Sequence, residues 1–377
     1  MKMKLFEWKN NIWLFVGILL SCFVVSAGVR YQQFETWKKT PAAFFVGDRP
    51  MMTTLDAPYW LRWAREYHEG VFRQKNGLRE YPESAKTFKG MSVPEKFKDP
   101  PDGTKLGKQI GVIPTAPSIS IRYQEVPLLS FLIAHFSPYF NYNYYLTGTL
   151  LVPLLASLFI LPLGIYFFHI GLPLSGLLGG LIGSFASGYY MRSSIGRIDT
   201  DMLNLFFPVL GALLILCASN SKTDRSILLY SMGAGLCLFL FQWWYGKAGF
   251  TLVYFMVLVL SLYIQQIRFQ TILFSAMFFV LCVEPGNFMR GTDNIKNFFQ
   301  IYFEIADAAT GTVIDNGTSP ATFPNVFTTI SEVDSTPMEE VFRRVLSNTT
   351  LSWIGFLLFI VLAVFSWRKM LPLAPML

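Results

Sequence analysis

Apolar and polar residues along this chain come in long blocks rather than in short alternation. Roughly 17 to 25 apolar residues are needed to cross about 30 Å of hydrocarbon. Eight segments approach that length: residues 12–29, 143–169, 173–190, 201–219, 227–243, 250–265, 269–283 and 351–367. The pattern predicts an all-α polytopic membrane protein with about eight spans. Tyr31, Gln32, Gln33 and Phe34 follow the first run instead of a small-residue cleavage site, so that run is expected to be a retained span and not a signal peptide.

Two polar stretches interrupt the spans, residues 30–142 and 284–350. Inside the first, residues 126–136 (VPLLSFLIAHF) are apolar but too short to cross, and are expected to form an interfacial or re-entrant helix. With that helix off the count, both long stretches and the short loops at 191–200 and 244–249 fall on one side of the membrane. Crossing parity thereby gathers Asp56, Arg192, Asp199, Asp201, the Trp243-Trp244-Tyr245 cluster and Glu332 onto a single surface. Carboxylates near membrane depth persist only where they line protein or a wet cavity.

Composition agrees with the blocks. Hydrophobic residues make up 53% of the chain, aromatic residues 16% and charged residues only 15%, against roughly 25% charged in ordinary soluble domains, and the mean hydropathy is +0.41. The net charge of +7 would suit nucleic acid, but the cations sort by side of the membrane. Lys2, Lys4, Lys9, Lys222, Arg225, Arg268, Arg368 and Lys369 all fall on the cytoplasmic side when the N-terminus is inside. No nucleic-acid partner is expected. All four cysteines, Cys22, Cys217, Cys237 and Cys282, lie within predicted spans and behave there as small apolar side chains.

The candidate chemistry sits in the gathered loops. Asp199-Thr200-Asp201 precedes the run MLNLFFPVLGALLIL. It reads either as a helix cap or as a DxD pair whose hard oxygens hold Mn²⁺ or Mg²⁺. Asp56 precedes Ala57-Pro58 and reads as a cap or as a site carboxylate, while Trp60, Trp63 and Tyr67 at helical spacing predict an aromatic helix face behind it. Glu332, in TTISEVDST, reads by itself as a solvated loop carboxylate. Arg192 and Arg197 read as structural ion-pair partners of Asp199 or as phosphate ligands. Trp244 and Tyr245 suit an aromatic belt, and Lys247 beside them is a candidate pyrophosphate partner. His68, His135 and His169 have no ligand spacing and receive no role. Asn316-Gly317-Thr318 and Asn348-Thr349-Thr350 match the glycosylation acceptor pattern by chance.

Taken in order, these motifs resemble the single-subunit oligosaccharyltransferase of bacteria. YYMRSSIGRIDTDML (residues 189–203) resembles that family's second-loop stretch and QWWYGKAGFTL its WWYP-type turn. Thr329-Ile330-Ser331-Glu332 resembles its TIXE motif, followed at family spacing by Arg343-Arg344. The resemblance implies a C-type glycosyltransferase domain over residues 1–377, in the bacterial inner membrane, with its site facing the periplasm. The implied reaction moves an oligosaccharide from a polyprenyl-pyrophosphate donor to the asparagine amide of an Asp/Glu-x-Asn-x-Ser/Thr sequon. Carried over residue by residue, Asp56, Asp199, Asp201 and Glu332 match the cation positions, with Asp56 and Glu332 also matching contacts to the acceptor amide. Arg192, Trp244, Tyr245 and Lys247 would face the lipid-linked donor, and Arg344 the acidic residue of the acceptor.

The chain departs from the family in having three spans where five are expected between the Asp201 helix and the Glu332 loop. It also stops at Leu377, before the family's later spans and its C-terminal WWD-bearing domain. A fragment, or a short protein needing a partner, is the expectation. Two other readings stay open: a C-type enzyme acting on a lipid or glycan, and an inactive membrane scaffold.

Overall fold

The computed structural model describes residues 11–70, 72, 126–246, 249–292, 338–346 and 348–376. It divides into two compact units, one of Met1–Ala57 with Gly148–Leu377 and one of Pro58–Thr147.

The first unit is a helical bundle. Helix α1, Ile12–Lys39, runs 28 residues, well past the polar Gln32 and Gln33. Helix α2, Ala57–His68, and helix α3, Leu128–Phe136, belong essentially to the second unit. Helices α4, Tyr144–Ser157, and α5, Ile160–Ile170, form one candidate span with Pro153 inside it. Helix α6, Pro173–Phe185, is followed after Ala186 by the short α7, Ser187–Arg192. A 3-10 turn, Thr200–Leu203, leads into α8, Phe206–Asn220. Then come α9, Asp224–Tyr245, α10, Gly249–Ile264, and α11, Phe269–Val283. Helices α12, Met338–Val345, and α13, Thr349–Phe365, follow, and a short helical turn, Trp367–Met370, with a 3-10 stretch, Leu371–Met376, closes the described chain.

Phe15, Leu19 and Cys22 of α1 pack with Phe159, Ile160 and Leu177 in one buried cluster. Small residues let the helices come this close. A Cβ on Gly176 would stand 2.7 Å from the Cβ of Phe167 and 3.1 Å from the Cα of Gly164, so α5 and α6 meet backbone to backbone. The outer faces are apolar: Leu358 is 63% exposed and Val364 64%, as in a surface covered by lipid tails rather than water.

All eight apolar blocks form helices, but not all as full spans. Among the described residues four helices are long and apolar enough to cross a membrane, or up to six if two bent pairs count as spans. The segment expected as a span over 173–190 is corrected by the structure: α6 ends after 13 residues because Ala186 takes an extended conformation (φ −54°, ψ 128°). At ~1.5 Å per residue α6 is about 20 Å long. Beyond α11 the chain turns by 95° into Pro285–Thr292. Most of the 284–350 stretch lies outside the described residues.

In the second unit, α2 carries the expected aromatic face. Tyr59 and Trp63 approach to 3.9 Å between ring centroids, and Tyr67 packs at 5.8 Å on Phe131 of α3. Ser130 donates to the Trp60 carbonyl at 2.8 Å. Helix α3 has nine residues, about 14 Å, which is too short to cross.

Candidate functional site

The site is organised around the stretch Ser193–Leu203, whose backbone carbonyls are tied down one after another. Arg30 Nε donates to the Ser193 carbonyl at 3.1 Å. Thr53 donates its N–H to the Gly196 carbonyl at 3.0 Å and its hydroxyl to Ile195 at 3.5 Å. The indole N–H of Trp244 donates to the Thr200 carbonyl at 2.7 Å, and the Tyr189 hydroxyl to Met202 at 3.2 Å. Buried backbone acceptors need partners, and here they come from four separate residues of the first unit. The loop is held by its main chain, which leaves its carboxylates to other work.

Gly196 makes the pairing with Thr53 possible. Its φ is +78°, and a Cβ there would lie 2.7 Å from both the Met51 carbonyl and the Trp37 ring. Only glycine meets both demands. Through Thr53 the segment that ends in Asp56 is brought to the acidic loop.

Asp199 has an extended backbone, and its Oδ1 accepts the Thr200 N–H at 2.6 Å. Asp201 Oδ1 accepts from Asn204 Nδ2 at 3.3 Å, and Oδ2 pairs with Arg192 Nη1 at 3.5 Å. The structure thereby gives Arg192 to Asp201, where an ion pair with Asp199 was one expectation. Burial raises the Asp199 carboxyl above the ordinary aspartate range. The charges of Asp201 and Asp56 push it further, against the Thr200 N–H and Arg197, which lower it. Arg197 Nε is buried with no hydrogen-bond partner among the described residues. Carboxylates from two distant segments, Asp56 and Asp201, thus bear on Asp199. Among the described residues, however, no three of His, Cys, Asp or Glu form a closed ligand group.

The remaining predicted residues divide. Trp244 is 2% exposed with its indole N–H already engaged, so it faces the loop it supports and not a ligand. Tyr245 is half-exposed and stacks on Phe241 at 6.1 Å. On α12, Arg344 Nε donates to Glu340 at 3.0 Å, Arg343 pairs with the same carboxylate at 2.5 Å, and both arginines are mostly exposed. The Arg344 carbonyl accepts the Ser187 hydroxyl at 3.0 Å, which docks α12 on the start of α7. Glu332 and Lys247 lie outside the described residues.

Sequence reasoning missed Arg30. Its side chain is fully buried, and its partners are serine groups on α1, α6 and the turn after α7. Burying a guanidinium costs several kcal/mol, on the order of 3 or more, unless its N–H groups are met. The available signal was a lone arginine closing an apolar run, which by itself marks a functional candidate.

A bundle of apolar helices carrying a tethered acidic loop defines a multi-pass membrane protein, and the family match that follows makes its architecture that of the C-type glycosyltransferases. The chain belongs to the oligosaccharyl transferase STT3 family, whose N-terminal domain matches residues 126–365, more than half its length. That match contains Arg192, Asp199, Asp201, Trp244, Glu332 and Arg344, while Asp56 precedes it. No curated protein matches the chain. The family reaction is oligosaccharyl transfer in N-glycosylation, from a lipid-linked oligosaccharide to acceptor protein.

Proposed function

We propose that this chain transfers an oligosaccharide from a polyprenyl pyrophosphate to the asparagine amide of an Asp/Glu-x-Asn-x-Ser/Thr sequon. We place it in a bacterial inner membrane with the site facing the periplasm. The supporting observation is the electrostatic meeting of Asp56, Asp199 and Asp201, brought about by the Thr53–Gly196 tie.

An amide nitrogen is a poor nucleophile because its lone pair is delocalised into the carbonyl. Asp56 and Glu332 accept the two amide N–H hydrogens, turn the amide out of plane and so free the lone pair for attack on the sugar's anomeric carbon. The new N–C bond forms as the C–O bond to pyrophosphate breaks, and the amide proton passes to a carboxylate. Arg192, with Tyr245 and Lys247, holds the leaving pyrophosphate, and Arg344 pairs with the acidic residue two before the asparagine.

Carboxylate oxygens are the donors a hard divalent cation takes, although no three of the described His, Cys, Asp or Glu side chains close on one point. Asp56, Asp199, Asp201 and Glu332 would hold Mn²⁺ or Mg²⁺, which supplies positive charge against the departing pyrophosphate when bound. The test combines lipid-linked oligosaccharide, Mn²⁺ and an Asp-x-Asn-x-Thr peptide with the purified chain, read by mass spectrometry. Glycopeptide that disappears with Asp199→Asn or with chelator supports the reading. Modified lipid or glycan without glycopeptide replaces it with another C-type transfer, and no product at all leaves a scaffold.

A further inference from the structure

We propose that Arg30 is a positioning residue of the transfer site, a buried bracket that ties the end of α6 to the end of α7 and thereby sets where Arg192 and the Asp199–Asp201 carboxylates stand. The inference rests on the reading of that acidic loop given above.

Arg30 reaches in two directions. Toward the end of α6, Nη1 donates to Ser184 Oγ at 2.8 Å and Nη2 to the Ser184 carbonyl at 2.8 Å. Toward the end of α7, Nε donates to the Ser193 carbonyl at 3.1 Å and Nη2 to Ser193 Oγ at 3.0 Å. Its own helix supplies Ser26 Oγ at 2.9 Å, and Ser26 joins Ser157 and Ser184 through hydroxyl contacts of 2.7 and 2.5 Å. A break between two helices leaves carbonyls without intrahelical donors, and at membrane depth water does not reach them. One planar guanidinium meets a carbonyl at the end of α6 and another at the end of α7.

Three features separate this arrangement from an ordinary buried ion pair. Every acceptor named above is a neutral serine group, so the cation works as a hydrogen-bond donor and is not the counter-ion of an acid. The guanidinium lies 5.1 Å from the ring centre of Tyr190 and 5.8 Å from that of Tyr189, which pins the middle of α7 as well. One turn further along α1, Gln33 donates to the Tyr190 hydroxyl at 2.8 Å and accepts the Ile195 N–H at 3.3 Å. A single face of α1 thus holds α7 and the first residues of the loop. Arg192, the partner of Asp201, sits beside Ser193, the residue that Arg30 grips twice. Lysine cannot reproduce this, because its donors radiate from one point.

The test compares the full chain with Arg30→Lys and Ser193→Ala in detergent, by melting temperature, amide exchange over residues 193–203, Mn²⁺ binding by electron paramagnetic resonance, and steady-state transfer. For Arg30→Lys we expect a folded protein with exchange in that stretch faster by about tenfold and Mn²⁺ bound about tenfold more weakly. Turnover should fall by about 10- to 100-fold with peptide KM within about threefold, the signature of misplaced groups and not of lost substrate contacts. Ser193→Ala should move the same readouts in the same direction by less, and it decides the matter if Arg30→Lys does not fold. A folded variant with wild-type loop exchange and turnover overturns the proposal, whatever its melting temperature. Failure of the underlying reading looks different: transfer or Mn²⁺ binding that survives Asp199→Asn and Asp201→Asn.

Discussion

The loop Ser193–Leu203 and the helix Met338–Val345 both present arginine and carboxylate near the same end of the bundle, yet they are held in opposite ways. In the loop, main-chain carbonyls are gripped by Arg30 and Trp244, both buried, and by Thr53 and Tyr189. In the helix, Arg343 and Arg344 share Glu340 within a single exposed turn, and that pairing depresses the Glu340 carboxyl through its hydrogen bond from Arg344. Buried hydrogen bonds to a backbone fix geometry, because each donor removed leaves an acceptor stranded. Exposed helical ion pairs are worth only about 0.3–0.5 kcal/mol and exchange readily with other partners. The loop is therefore built to keep a shape, and the helix to let an arginine change hands.

The largest predicted effect attacks the loop. Gly196→Val places side-chain atoms against the Met51 carbonyl and the Trp37 ring at a positive φ, so a loss of at least about 2 kcal/mol is expected. It should appear as a lower melting temperature and abolished transfer; a variant with normal stability would refute the close approach. Next, Trp244→Phe strands the Thr200 carbonyl at about 1–3 kcal/mol and should slow turnover, while Tyr245→Phe leaves the melting temperature within a degree or two. Equal effects from the two would remove the distinction between a supporting and a surface aromatic.

Asp199→Asn works in the other direction. Burial and the neighbouring carboxylates raise the folded-state pKa, so ionisation is disfavoured in the native protein. That cost is absent at low pH and grows as pH rises through the raised value. In chelator, the asparagine variant should melt higher than wild type at neutral pH, with the gain shrinking on acidification. A gain that grew toward low pH would reverse the sign of the shift. The smallest stability effect belongs to Arg344→Leu, about 0.5 kcal/mol or less, accompanied by loss of the preference for an acidic residue in the peptide. Retained preference would take Arg344 out of acceptor recognition.

Much of this was legible in the sequence. Each long apolar block became a helix, Asp199 became the residue that opens the turn into α8, and Trp60, Trp63 and Tyr67 formed the aromatic face that helical spacing required. The break after Phe185 was not legible, because the bonds that sustain it come from Arg30, more than 150 residues earlier in the chain. Arg192 found Asp201 instead of Asp199 since the Asp199 Oδ1 had turned inward to cap Thr200. Trp244 looked like part of an interfacial belt, and only packing could reveal that its N–H points at the acidic loop. Local patterns name the elements, whereas partners distant in sequence decide which way a polar group faces.

The short helix Pro173–Phe185 also bears on the surrounding lipid. At about 20 Å it falls roughly 10 Å short of the hydrocarbon thickness, and local thinning of the bilayer toward the acidic loop is one way such a mismatch is relieved. A lipid-linked donor would then slide down a local depression instead of being lifted out of the membrane to react. Turnover in reconstituted vesicles should consequently depend on acyl-chain length and fall in thick bilayers that resist this deformation.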